Sequence, residues 1–388
     1  MRVLINGACL LRPRTGVGHT TANLHRALEN QFPGDAFWLY PGSFLGEMAA
    51  RVLRRPRFLE AKTTTAASTP TIRGMVGTVV KQAARTVYRS HLQTSARWGR
   101  FDLYHEPNFV AVRTTLPTVL TIHDLSVLTH PEWHPADRVR FHERHFHSGV
   151  EKAAHVIVVS ETVRREAIEI LGLSPTRVSA VYNGLDEQFH PRPVEEIDEF
   201  RHRAGLPSRY FLAVGTIEPR KNIGTLMRAF CDLPAEVREA CPLVLAGNWG
   251  WKSDGDHKYY ESVASAQGVR HLGYVDARDL PRLYAGAAAL LYPTHYEGFG
   301  LPPIEMLACG GRVVASTDAA VREVLGPHAQ FVHAHDEAGW REAMREIATS
   351  RVCEPNEAAI EHARGFTWTR AAAQTRAVYE AVITSSHA

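Results

Sequence analysis

A chain of 388 residues, 45% hydrophobic and 22% charged, has the composition of a globular protein with room for two domains, or three small ones, each with its own core. Its longest apolar runs, such as Ala287–Tyr292, are too short to span a bilayer, and the opening MRVLINGACLL lacks the charged region, long apolar core and cleavage site of a signal peptide. Net charge is only +3, and the five cysteines (Cys9, Cys231, Cys241, Cys309, Cys353) are scattered without a CxxC pair, which argues against a disulfide framework and fits a reducing cytoplasm.

In chain order, short β-branched runs alternate with longer helical patterns. Strands are expected at Val3–Ile5, Phe37–Tyr40, Leu103–His105, Thr118–Ile122, His155–Val159 and Val178–Val181. They continue at Tyr210–Val214, Leu243–Ala246, Val269–Leu272, Ala289–Tyr292 and Arg312–Ala315, with helices such as Thr20–Asn30 and Ala136–Ala154 between them. Such alternation argues an α/β protein with parallel sheets covered by helices. The pattern runs twice, with a break at Asp186–Pro207, where Pro191, Pro193 and the acids Glu195, Glu196, Asp198 and Glu199 read as a linker entering a short helix. Two doubly wound domains facing each other leave a cleft at the carboxyl ends of their strands, so strand-to-helix turns are the places to look for function. The expected division is 1–190, 191–368 and a terminal helix, 369–388.

Between Arg51 and Arg100 there are eleven Lys/Arg against one acid, Glu60. That excess suits anionic lipid head groups or a phosphorylated acceptor, or else a plain solvated surface. No aromatic-interleaved motif for nucleic acid accompanies it. Lys62–Thr71 (KTTTAASTPT) reads as a loop.

Four turns could carry chemistry. RPRTGVG places Gly16 and Gly18 ahead of a helix from about Thr20, where backbone amides can approach an anion, although the full GxGxxG is absent. TVLTIHD ends a buried strand in His123 and Asp124, either cleft-facing groups or a core histidine with a capping acid. FLAVGTIEPRKN runs from a strand into Gly215 and then Arg220 and Lys221, a planar fork and a point charge suited to a diphosphate. HYEGFGLPPIE sets Glu297 and Glu305 around Gly298 and Gly300, with Pro302 and Pro303 in the first turn of a helix. Two acids so close to an anion site need hydroxyls or cations as partners, which suits a sugar at one and a ribose at the other.

These motifs together resemble retaining GT-B glycosyltransferases of the family 4 type. Glu297 and Glu305 match the E-x7-E signature, GTIEPRKN the pyrophosphate turn, and the first loop, the His123–Asp124 strand end, Val159–Ser160–Glu161 and Val181–Asp186 follow in order. TIHDLSVLTHPEWHP is similar to a branch containing bacterial mannosyltransferases of O-antigen and other surface polysaccharides. The resemblance implies two Rossmann-like domains and transfer of a hexose with retention, without a metal or other cofactor. The donor would be a GDP-sugar, with UDP- or ADP-sugars as rivals, and the acceptor a glycan or lipid-linked glycan. It implies that Arg220 and Lys221 hold the diphosphate and Glu305 the ribose. Glu297 would meet the donor sugar and His123 line its pocket. Gly215, Gly298, Phe299, Gly300 and Leu301 would line the donor site, with Gly16 and Gly18 closing from the other domain. The helix after Trp368 would cross back to the first domain.

Asp254-Gly-Asp256 imitates a DxD metal motif but reads as a turn. His142, His145 and His147 lack a metal-ligand pattern, and Ser160 reads as a helix N-cap.

Overall fold

The computed structural model describes residues 1–10, 16–41, 86–350 and 355–387. The Lys62–Thr71 loop and most of the basic stretch expected from the sequence lie outside the described residues.

The first sheet comprises β1 (Arg2–Asn6), β2 (Ala36–Tyr40), β3 (Leu103–Glu106), β4 (Thr118–Ile122), β5 (His155–Val158) and β6 (Val178–Ala180), in the order β2-β1-β3-β4-β5-β6. The second comprises β7 (Phe211–Val214), β8 (Leu243–Ala246), β9 (Arg270–Gly273), β10 (Ala289–Tyr292), β11 (Val313–Ser316) and β12 (Gln330–Val332), in the order β12-β11-β10-β7-β8-β9. The resolved pairings are parallel, for example Val3 with Phe37 and Leu103, and Phe211 with Leu243. Parallel strands are buried on both faces, so each reads as a continuous apolar run rather than an alternating one.

The alternation reappears in the packing. Leu212, Val244, Leu290 and Val313 join one core with Met306 and Leu307, while their neighbours Phe211, Leu243, Leu291 and Val314 join another around Trp340. Each face of the second sheet therefore has its own helix layer.

Two compact units result. One holds Met1–Ile122, His145–Ile157 and Ala372–Ala388; the other holds His123–Arg144 and Val158–Ala371. Within the first, Tyr379 Oη lies 2.7 Å from His105 Nδ1, and Arg376 Nε donates to Asp35 at 2.7 Å. The first sheet ends with β6 at Ala180 and the second begins with β7 at Phe211, on either side of the expected boundary at 190, whereas the second compact unit already takes in Val158 onward.

Three local expectations need correction. The first long helix begins at Gly16, not near Thr20, so Gly16 and Gly18 form its first turn rather than a preceding loop. Asp254 and Asp256 lie in the first turn of a helix, Asp254–Tyr259, where their charge complements the helix dipole, and do not form a free turn. β12 was not expected at all; it is a three-residue edge strand with only Val332 buried. Ser160 does cap the helix Glu161–Leu171, its side chain accepting from Val163 N. Among the described residues no helix is long and apolar enough to cross a membrane.

Candidate active site

The second sheet reverses direction of winding between β7 and β10, and ligands of doubly wound sheets bind outside the carboxyl ends at such a switch point. A small cavity lies there, lined by Ala213, Val214, Gly215, Lys221, Ile223 and the segment Leu291–Thr294. Gly215 leaves β7 at φ +134, a conformation that side chains rarely adopt, and so opens room above the strand end. Thr294 Oγ1 and Glu218 Oε2 are buried without a hydrogen-bond partner among the described residues. Buried polar atoms left so are satisfied by water or a ligand.

From β7 the chain passes through a short turn, Pro219–Lys221, that sets two cations side by side. Asn222, at φ 55, ends that turn, and its side-chain amide donates to the carbonyls of Pro293 and Ala334. This pins the cationic turn to the ends of β10 and β12. Arg220 Nη1 donates to Glu297 Oε2 at 2.7 Å and to the carbonyl of Tyr296 at 3.0 Å, while its Nη2 reaches Glu218 at 3.0 Å. Lys221 Nζ donates to the other oxygen of Glu297 at 2.5 Å and to Tyr292 Oη at 3.2 Å. Both oxygens of one buried carboxylate are thus held by the two cations.

Burial alone would raise the pKa of Glu297, but Arg220 and Lys221 outweigh it and hold the group below the usual carboxylate range. Asp124 behaves alike: burial is offset by Arg220 and by hydrogen bonds from Ser126. Asp318 Oδ1 caps the helix Ala319–Leu325; burial and the nearby Glu297 push Asp318 up to about 6.

Gly300, at φ 89, precedes the helix Leu301–Ala308. Pro302 and Pro303 lack amide hydrogens, so the N–H groups at this helix entrance come from Gly300 and Leu301. Phe299 is buried against Tyr182 and Phe366 and anchors the turn in the core. Glu305 lies one turn inside that helix, where its Oε2 accepts from Tyr284 Oη at 2.8 Å. Burial pushes it up to about 7 despite that bond.

His123, Gly215, Arg220, Lys221, Glu297, Gly298, Phe299, Gly300, Leu301 and Glu305 all belong to the second unit, whereas Gly16 and Gly18 belong to the first. His123 meets this group through its backbone: its carbonyl oxygen is so close to Gly298 that a β-carbon there would stand 1.7 Å away. Sequence reasoning missed Tyr296, Glu166, Glu218, Thr294, Asp318 and Tyr284. Tyr296 adjoins a recognised motif; Glu166 sits mid-helix with no local signal at all. No group of three or more His, Cys, Asp or Glu among the described residues is placed to hold a metal ion.

Residues 15–189 match Glycosyltransferase Family 4, and residues 194–366 match Glycosyl transferases group 1. An O-antigen chain mannosyltransferase B of Escherichia coli is 34% identical, the match covering 72% of this chain and 74% of that one. A serotype-specific mannosyltransferase WbdA, also from Escherichia coli, is 28% identical over 66% of this chain but only 32% of its own length. In structure, HepE of Anabaena, solved in complex with UDP and glucose, superposes with a TM-score of 0.64 at 16% identity, covering 98% of this chain and all of that one. The two parallel sheets with their helix layers are those of the GT-B fold. With both halves matched in order and a relative 34% identical over 72% of the chain, the chain belongs to the family 4 (group 1) glycosyltransferases.

Proposed function

We propose that this glycosyltransferase moves mannose, or a closely related hexose, from a GDP-sugar to a lipid-linked or growing glycan in O-antigen-type surface polysaccharide synthesis, with retention and without a resident metal. The observation that carries the reading is the convergence of Arg220 and Lys221 on one buried carboxylate beside the cavity at the β7–β10 switch point.

In this reading the bond from the sugar's anomeric carbon to the diphosphate oxygen breaks while the acceptor oxygen bonds to that carbon on the same face. The acceptor's proton passes to the departing diphosphate. Arg220 and Lys221 carry the charge that develops on the leaving group, the task a metal performs elsewhere. Glu297 keeps both cations aligned and meets the sugar's hydroxyls, His123 lines the sugar pocket, and Glu305 accepts from the ribose hydroxyls. The two mannosyltransferase relatives support the hexose and the acceptor class.

The test is thermal stabilisation by GDP, UDP and ADP and their mannose or glucose conjugates, followed by proton NMR of the transferred sugar's anomeric configuration. A GDP-selective shift, retained configuration and turnover indifferent to EDTA are expected. A UDP-selective shift would favour a UDP-sugar donor, the alternative suggested by the UDP complex of HepE.

Peripheral contact with an anionic membrane belongs to the same proposal. The described part of the basic stretch includes a helix over residues 86–98 that exposes Val87 and Trp98, with Arg97 and Arg100 exposed beside Trp98. Binding to anionic vesicles that weakens with salt and with charge reversal of these arginines is expected; salt-indifferent binding would sink it.

A further inference from the structure

Residues 123–125 and 296–298 touch at two points. Leu125 N donates to Tyr296 Oη at 3.1 Å, and the His123 carbonyl rests on Gly298. The β-carbon of Asp124 also lies 3.3 Å from where a β-carbon on Gly298 would stand, so Asp124 and Glu297 border the same contact. Both of these acids act on Arg220 and hold its proton. A slip of either segment would carry one carboxylate away from the guanidinium they share.

The Tyr296 hydroxyl has a third neighbour. It donates to Glu166 Oε2 at 2.5 Å, from the helix Glu161–Leu171. Its single proton is therefore given to Glu166, and its oxygen receives the Leu125 amide. Both bonds are made within the second unit, and Tyr296 is only 9% exposed. A hydroxyl engaged in this way is poorly placed to serve as an acid, a base or a sugar contact. What it does is tie three segments together: the His123 loop, the donor turn, and a helix that carries no other residue of the site.

We propose that Tyr296, backed by Glu166, is a positioning residue that fixes the register between the His123 loop and the Glu297 turn, and that sugar transfer depends on this register more than donor binding does. The inference rests on the glycosyltransferase reading above, because His123 is taken to line the donor-sugar pocket. The nucleotide end of the donor is handled by other groups, Glu305 with Tyr284 and the Leu301–Ala308 helix entrance, which this clasp does not touch.

Tyr296→Phe keeps the ring and removes the hydroxyl, leaving the Leu125 amide without its acceptor. Glu166→Gln keeps an acceptor for the tyrosine, and Glu166→Ala removes it. The expected result is a kcat for transfer lowered 10- to 100-fold in Tyr296→Phe. The donor KM and the affinity for the nucleoside diphosphate should stay within about threefold of wild type. Glu166→Ala should fall the same way and Glu166→Gln recover most of the loss. Faster amide hydrogen exchange over residues 123–126 should accompany the loss in both damaging variants. Should Tyr296→Phe not fold, the Glu166→Ala and Glu166→Gln pair carries the same test. Unchanged kcat in folded Tyr296→Phe would overturn the proposal, as would a nucleotide affinity that falls in step with kcat. A wild-type protein that transfers no sugar from any nucleotide donor would instead overturn the functional reading, and this inference with it.

Discussion

The carbonyl oxygen of His123 sits over the α-carbon of Gly298, where a β-carbon would come within 1.7 Å. Gly298 is therefore required by a backbone neighbour, which cannot swing aside as a long side chain can. Gly298→Ala is expected to force the two segments apart, costing about 3 kcal/mol of stability. Transfer activity should fall at least 100-fold. Thermal denaturation and a transfer assay on the same preparation check both parts; a variant with wild-type activity would show that the close approach is dispensable.

Removing Arg220 would strip Glu297 of one of its two cations and Glu218 of its ion-pair partner. Truncating one member of a buried ionic network typically costs about 3–5 kcal/mol, since the remaining charges stay desolvated. Arg220→Ala is expected to lose that amount of unfolding free energy in urea titrations and to raise the KM for the nucleotide sugar. Arg220→Lys should rescue poorly, because a single ammonium cannot reach Glu218, Glu297 and the Tyr296 carbonyl together.

If Glu305 meets the donor ribose as proposed, it gives donor binding a pH signature. Burial holds its carboxyl at about 7 in the free protein, so it is largely protonated below that pH. Ribose hydroxyls donate best to the ionised form. Donor affinity is therefore expected to rise with pH to about 7 and then level off, with proton release on binding. Glu305→Gln should bind the donor about tenfold more weakly at pH 8, roughly the loss of one charge-assisted hydrogen bond, and lose that pH dependence. Calorimetric titration at several pH values, in buffers of different ionisation enthalpy, measures both.

A second buried acid acts on stability. Glu106, at the end of β3, accepts from Asn6 and Tyr104 at 2.7 Å each, and burial pushes it up to about 7. An acid whose folded pKa exceeds its unfolded value favours the fold fully below about 4.5, and this contribution is lost as pH rises through 7. The loss is on the order of 3 kcal/mol, from 1.36 kcal/mol per pKa unit. Glu106→Gln should flatten the decline in melting temperature between pH 5 and 8. An unaltered slope would assign the decline to other groups.

Much of the architecture was legible because doubly buried parallel strands are local apolar runs. β12 escaped because two of its three residues remain partly accessible. The start of the first long helix was misplaced because Gly16 and Gly18 are poor helix formers by propensity and are carried there by the fold. The cationic turn and the paired acids were legible for a similar reason, each being a short contiguous motif. The links between motifs were not. Tyr296 meets Glu166 across 130 residues and Leu125 across 171, and no spacing in the chain encodes either meeting. Lys221 and Glu297 were each singled out, but not their ion pair, which only folding brings about.

The first unit is assembled from both ends of the described chain. Met1 and Arg376 share the carboxylate of Asp35, and Tyr379 closes on His105 beneath β3. Residues 1–122 leave the ribosome early, but the helix Trp368–His387, most of which belongs to their unit, follows much later. The stretch Val158–Ala371 is complete before that helix is. Synthesis from the N-terminus ordinarily lets the first domain fold first. Here the order of completion is inverted: the unit that holds residues 1–122 is completed after the one that holds Val158–Ala371, and until then His105 awaits its partner Tyr379.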